Sequence, residues 1–181
     1  MKSSVRRSTV HIAVTALFTA LIAVSAFVTI PLPGGVPVTL QTLAVALTGY
    51  CLGVKRAVPA LLAYILLGAA GAPVFSGFQS GPAVLVGKTG GFFVGFVFLV
   101  VACALGSKCG NKVLQIAVGL LGLLLCHLTG VLWFAHLTGT GVWASAAAAS
   151  LPFLLKDTVC VVVSMFLSLR LRRALKTVVG F

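Results

Sequence analysis

Acidic residues are almost missing from this 181-residue sequence, which has one, Asp157, against thirteen Lys and Arg, for a net charge of +12. A two-metal phosphotransferase, a carboxylate proton relay or an ATP-hydrolysing motor needs more carboxylates than that. Charge of either sign is scarce, at 8% of residues against the roughly 25% usual in soluble domains. Hydrophobic residues make up 60% of the chain and mean hydropathy is +1.22, the composition of an integral membrane protein. Paired cysteines are missing too. Cys51, Cys103, Cys109, Cys126 and Cys160 form no CxxC motif, and four of them sit in apolar runs as small buried hydrophobes. The positive surplus does not indicate nucleic acid, because such binders mass basic residues on one solvated face, whereas here they come in small groups between apolar runs. His127 and His136 do not share a ligand spacing, so neither a metal site nor a cofactor is expected.

What is present is a series of apolar runs. At roughly 20 residues per spanning helix, the length holds about six spans and no separate soluble domain. Residues 1–181 are therefore read as a single all-α transmembrane domain of six helices. The first span runs from about His11 to Ile30, after Lys2, Arg6 and Arg7; it is too long for the apolar core of a secretory signal and is read as uncleaved. Pro31, Pro33, Gly34, Gly35 and Pro37 end it in a loop that cannot be helical. Further spans are expected over about 40–52, 58–70, 92–105, 113–134 and 153–169, with a Gly-rich segment over 71–91 and a small-residue stretch over 138–150. With the N-terminus in the cytoplasm, this model puts every Lys and Arg except Lys88 and Lys156 on the inner side, as the positive-inside rule requires. Both termini are then cytoplasmic, and adding or removing a span would put basic clusters outside.

The charges that the rule leaves unexplained, Lys88, Lys156 and Asp157, all fall in the outer half. A charge at the centre of a spanning helix costs about 2.5–3.5 kcal/mol on insertion scales, so such residues tend to pair or line cavities. A plainer reading of the last two also stands: Asp157 at the start of the last helix suits the helix dipole, and Lys156 can reach water. The segment from Gly71 to Gly91 favours a cavity, because irregular backbone at membrane depth survives only where protein or trapped water satisfies it. Phe75 and Phe78 there supply apolar walls, while Ser76, Gln79, Ser80, Lys88 and Thr89 supply polar groups, the make-up of a small-molecule pocket. Gly87-Lys88-Thr89 is not a Walker A loop, since Pro82 stands where that motif needs glycine. Trp133, Trp143 and Tyr64 are anchors at the interface or core residues, and Trp133 is also a candidate for stacking on a ligand.

Four stretches taken together carry a resemblance: Pro-Leu-Pro-Gly-Gly-Val-Pro-Val-Thr-Leu-Gln-Thr from Pro31 to Thr42, Gly-Ala-Pro-Val-Phe-Ser-Gly from Gly71 to Gly77, Gly-Lys-Thr-Gly-Gly-Phe from Gly87 to Phe92, and Leu-Pro-Phe-Leu-Leu-Lys-Asp from Leu151 to Asp157. In this order, over nearly the whole chain, they resemble the BioY family, the biotin-binding S components of energy-coupling factor (ECF) transporters. The resemblance implies a six-helix protein of the bacterial plasma membrane, without catalysis of its own, that captures biotin from outside. It also implies partners: a transmembrane coupling subunit and two cytoplasmic ATPases that drive release inward.

Biotin carries a ureido ring with N–H donors and a carbonyl acceptor, an apolar bicycle and chain, and a carboxylate. Asp157 is the one charged acceptor for the ureido donors, and Gln41 offers both a donor and an acceptor. Lys88 or Lys156 is left for the biotin carboxylate. Gln79, Thr89, Gly77 and Phe92, within or beside the matching motifs, complete the expected binding set. Two departures stand out: where the family pattern places Lys three residues after the Asp, this chain has Cys160, and where the pattern has Pro before Thr-Gly-Gly, it has Lys88. On the first span, Ala16 and Ala20 are small residues four apart, a spacing that packs helices within lipid; the resemblance implies that they dock the coupling subunit. An S component for another nutrient, such as thiamin or riboflavin, would keep this architecture and change the pocket. A membrane enzyme would need a base beside Ser76, and the sequence identifies none.

Overall fold

The computed structural model describes residues 2–31 and 35–179, with side chains over 9–31 and 35–175. Pro33 and Gly34 of the first loop, and the side chains of Lys2, Arg6, Arg7 and Lys176, lie outside the described residues. In chain order the elements are α1 (Lys2–Phe27), β1 (Thr29–Ile30), β2 (Val38–Thr39), α2 (Gln41–Leu52), α3 (Val54–Ala69), a 3-10 turn (Ser76–Phe78), α4 (Pro82–Val86), α5 (Gly90–Gly106), α6 (Lys112–Thr138), α7 (Val142–Ala149) and α8 (Leu151–Val179). Three segments, Thr9–Phe27, Lys112–Thr138 and Leu151–Leu175, are long and apolar enough to cross a bilayer, and α2 and α5 are shorter apolar helices.

α2 is the centre of the bundle. Every one of its residues except Leu43 is buried, as befits a helix apolar on all sides. α8, α5, α1 and α3 surround it. Gly53, at φ +70°, separates α2 from α3 in a single residue, a conformation that costs glycine little. The most extensively packed helix pair is α5 with α6. A Cβ on Gly95 would meet the Cys126 Cα at 2.7 Å, so only glycine lets the two backbones approach this closely. Polar side chains tie helices together inside the bundle: Thr19 donates to the Ala60 carbonyl (3.0 Å), Tyr50 to that of Gln115 (2.9 Å) and Ser164 to that of Leu43 (2.8 Å). Leu66, Leu124 and Leu17 point outward, the surface that lipid would cover.

The expected helical stretches are present, with shifted ends. α1 stops at Phe27, short of Ile30, because Thr29 and Ile30 pair antiparallel with Thr39 and Val38 in a short hairpin, so the all-α bundle carries one small strand pair. The Gly-rich segment is not wholly irregular, since Pro82 occupies the first turn of α4, where its missing N–H has no partner to lose. The small-residue stretch holds α7. The last helix does not stop at Leu169 but runs to Val179, because the basic residues that mark the membrane edge are good helix formers. Arg172 there donates to the Ser107 carbonyl at the end of α5 (3.0 Å), a favourable position for a cation.

Candidate functional site

A cavity of about 890 Å³ opens between the hairpin, the start of α2, the 75–80 turn, α4 and α5, and the facing stretches of α6 and α8. Its walls are aromatic. Phe75 is fully buried, its ring in the space that a side chain at Gly68 would fill, edge-on to Tyr64 at 5.6 Å and tilted against Phe93 at 4.9 Å. Phe92, Phe96 and Phe153 line the same space. The 75–80 turn is held to β1 by Ser76 Oγ, 2.8 Å from Thr29 Oγ1, and to the end of α1 by Phe78, which stacks on Phe27 at 4.5 Å.

The charged end of the cavity is built from α8, α6 and the start of α2. Asp157 is buried. Lys156 Nζ lies 2.5 Å from Asp157 Oδ1 and donates to the Thr39 carbonyl at 2.6 Å. Neighbours on a helix do not face one another, so the long Lys156 stem must fold back to bridge its neighbour and the hairpin. His127 Nε2 stands 3.3 Å from Asp157 Oδ2, and its Nδ1 is 2.9 Å from Ser150 Oγ. In the neutral ring this network puts the proton on Nε2, donating to Asp157, while Nδ1 accepts from Ser150. Thr42 stands beside the same carboxylate. Gln41 is buried and oriented, donating to Tyr64 Oη (2.7 Å) and accepting from Thr39 Oγ1 (3.2 Å), which leaves one amide N–H and acceptor capacity unused.

The structure brings all eight expected binding residues to this one cavity: Asp157, Gln41 and Lys156 at the charged end, Phe92 in the wall, and Gly77, Gln79, Lys88 and Thr89 along the connecting segments. Lys88 is exposed, its stem against Gly35 of the hairpin loop. Trp133 does not line the cavity. Its indole donates to the Gly87 carbonyl at 2.9 Å and packs behind Gly90 and Gly91, so it holds the Lys88 turn from outside instead of stacking on a ligand. Ala16 and Ala20 both lie on the exposed face of α1. Reading the sequence missed His127 and Thr42. A signal for His127 existed: a histidine inside an apolar run needs a hydrogen-bond partner, and the chain has only one carboxylate to offer.

A bundle of apolar helices closed around a large cavity, aromatic on its sides and charged at one end, is the build of a membrane protein that holds a small molecule. The chain belongs to the BioY family, whose model matches residues 1–177. It is 38% identical over 161 residues to the biotin transporter BioY of Thermotoga maritima, covering 87% of this chain and 92% of that one. It is 36% identical over 162 residues to the biotin transporter BioY2 of Lactococcus lactis subsp. cremoris, covering 88% of each. The fold matches the crystal structure of the S-component for biotin from an ECF-type ABC transporter, with a TM-score of 0.82 at 24% identity over 90% of both chains.

Proposed function

We propose that this chain captures biotin from outside the cell and serves as the substrate-binding subunit of an ECF-type uptake system. The observation that carries the reading is the sole acidic side chain, Asp157, buried at the end of an aromatic cavity with Lys156 paired to Oδ1 and His127 against Oδ2, while Oδ1 accepts no hydrogen bond among the described residues. Asp157 accepts from a ureido N–H, Gln41 reaches the ureido ring with its remaining groups, and the Phe75, Phe92 and Phe96 walls enclose the bicycle and chain. Lys156 is already committed to Asp157 and the Thr39 carbonyl, which makes Lys88, on the hairpin side, the cation for the biotin carboxylate. Gln79, Thr89 and Gly77 complete the site near Lys88.

In this reading the chain crosses the bacterial plasma membrane six times with both termini in the cytoplasm. The positive-inside distribution supports that orientation. The exposed Ala16 and Ala20 stripe supports a docking role for α1 against a transmembrane coupling subunit, with two ATPases supplying the energy.

Equilibrium binding of labelled biotin to the purified chain tests the reading, with thiamin and riboflavin as competitors. Saturable binding that neither competitor displaces is expected. Asp157→Asn, still inserted and monodisperse, weakens it at least about tenfold, the equivalent of one hydrogen bond to a charged group. Displacement by thiamin or riboflavin would keep the architecture and change the nutrient.

A further inference from the structure

The Asp157 carboxylate is gripped from two sides by two different kinds of group. Lys156, which takes Oδ1, is a flexible ammonium whose side chain is 28% exposed and which also serves the hairpin. His127, which takes Oδ2, is a rigid ring with 6% side-chain exposure, fixed at its far nitrogen by Ser150, itself buried where α7 meets α8. Phe92 packs edge-on to the His127 ring at 6.2 Å, so the ring is constrained on its face as well as at both nitrogens. A carboxylate has lone pairs for about four hydrogen bonds. Lys156 pairs with Oδ1 by charge, but Oδ1 accepts no hydrogen bond among the described residues, so it is the oxygen left for a ligand, and its direction depends on how the carboxylate is turned. Of the groups around the carboxylate, the rigid one with both polar atoms tied is His127.

We propose that His127 is a positioning residue for ligand recognition: held by Ser150, it sets the rotation of the Asp157 carboxylate so that the free lone-pair direction meets a ligand N–H. This rests on the biotin reading above and adds to it a cavity-lining residue whose role is exerted through Asp157. It also accounts for how the site works with Cys160 three residues after the Asp. Cys160 is a buried thiol and supplies no cation, so orientation comes instead from a neighbouring helix.

Two amide side chains separate the functions of the ring nitrogens. Gln places its amide near the Nε2 position and keeps a donor for Asp157; Asn places its amide near Nδ1 and keeps only the Ser150 contact. The experiment measures biotin affinity for the full-length chain and for His127→Gln, His127→Asn, His127→Leu and Ser150→Ala, each checked for a monodisperse, membrane-inserted product. The proposal expects Gln to stay within about fivefold of the wild type, Asn and Leu to lose more than about thirtyfold, and Ser150→Ala to fall between. It also expects the His127 ring 15N signals of the wild type to move when biotin is added. Equal affinity in all variants overturns it, as does an equal loss in Gln, Asn and Leu, which would make the ring a matter of shape alone. If the wild type itself does not bind biotin, the biotin reading fails first, and the two failures are thereby distinguished.

Discussion

At the scale of single residues, the structure separates the two lysines that line the cavity. Lys156 has its charge balanced by Asp157, the only acid in the chain, so Lys88 has no carboxylate left to pair with and lies exposed on the hairpin side of the cavity. An exposed cation attracts an anion through water and is screened by salt. Lys88→Ala is therefore expected to weaken biotin binding by about tenfold, the lower end for a charged hydrogen bond, and to remove its dependence on ionic strength. Its affinity for biotin amide, which has no carboxylate, should not change. Titration calorimetry at two salt concentrations with both ligands measures all of these, and equal losses for biotin and its amide would refute the role. Asp157 and Lys156 were legible in the sequence because a charge between apolar runs demands a reason, and Gln41 through the motif that carries the family resemblance. For His127 the apolar run signalled only that a partner is needed; its role emerges once α6 is laid against α8 and its two nitrogens reach Asp157 and Ser150.

At the scale of elements, apolar runs gave the order of the main helical stretches, three of them long and apolar enough to cross a bilayer, while the short helices escaped. α4 hides in a segment whose glycines read as loop, and α7 in a run of alanines too short to be taken for a span. Helix periodicity offers little help in such a chain, since a helix like α2 is buried on every side and has no polar face to reveal its period. Packing depends instead on where backbones come close. At Gly95 the neighbouring surface is the backbone of Cys126, which cannot rotate away as a side chain would. Gly95→Leu should therefore force α5 from α6, costing about 1–3 kcal/mol as overpacking does, or more if the cavity wall at Phe92 and Phe96 shifts with it. The expected readout is a lower midpoint of thermal unfolding in detergent together with weaker biotin binding. Substitution at Leu124, which faces outward from α6, serves as the control and should leave both unchanged.

At the scale of the whole molecule, the two ends differ in chemistry. Lys55, Arg56, Lys108, Lys112, Arg170, Arg172 and Arg173 gather where α2 meets α3, where α5 meets α6 and where α8 ends; the cavity, with Lys88, Lys156 and Asp157, belongs to the other end. α6 is about 40 Å long and α8 about 43 Å at 1.5 Å per residue, more than the roughly 30 Å hydrocarbon core, so the ends of both stand clear of lipid and can be reached by reagents in water. The cysteines make the orientation testable. Cys51, Cys103, Cys126 and Cys160 are buried and protected, whereas Cys109, between α5 and α6, is partly exposed; Thr140, between α6 and α7, is exposed at the opposite end of α6. A membrane-impermeant maleimide added to intact cells should leave Cys109 of the wild type unlabelled until the cells are permeabilised. In a Cys109→Ser background, the same reagent should label Thr140→Cys without permeabilisation. The reverse pattern would turn the cavity toward the cytoplasm, where it could not receive a nutrient from outside, and the uptake reading would fail even if biotin bound well.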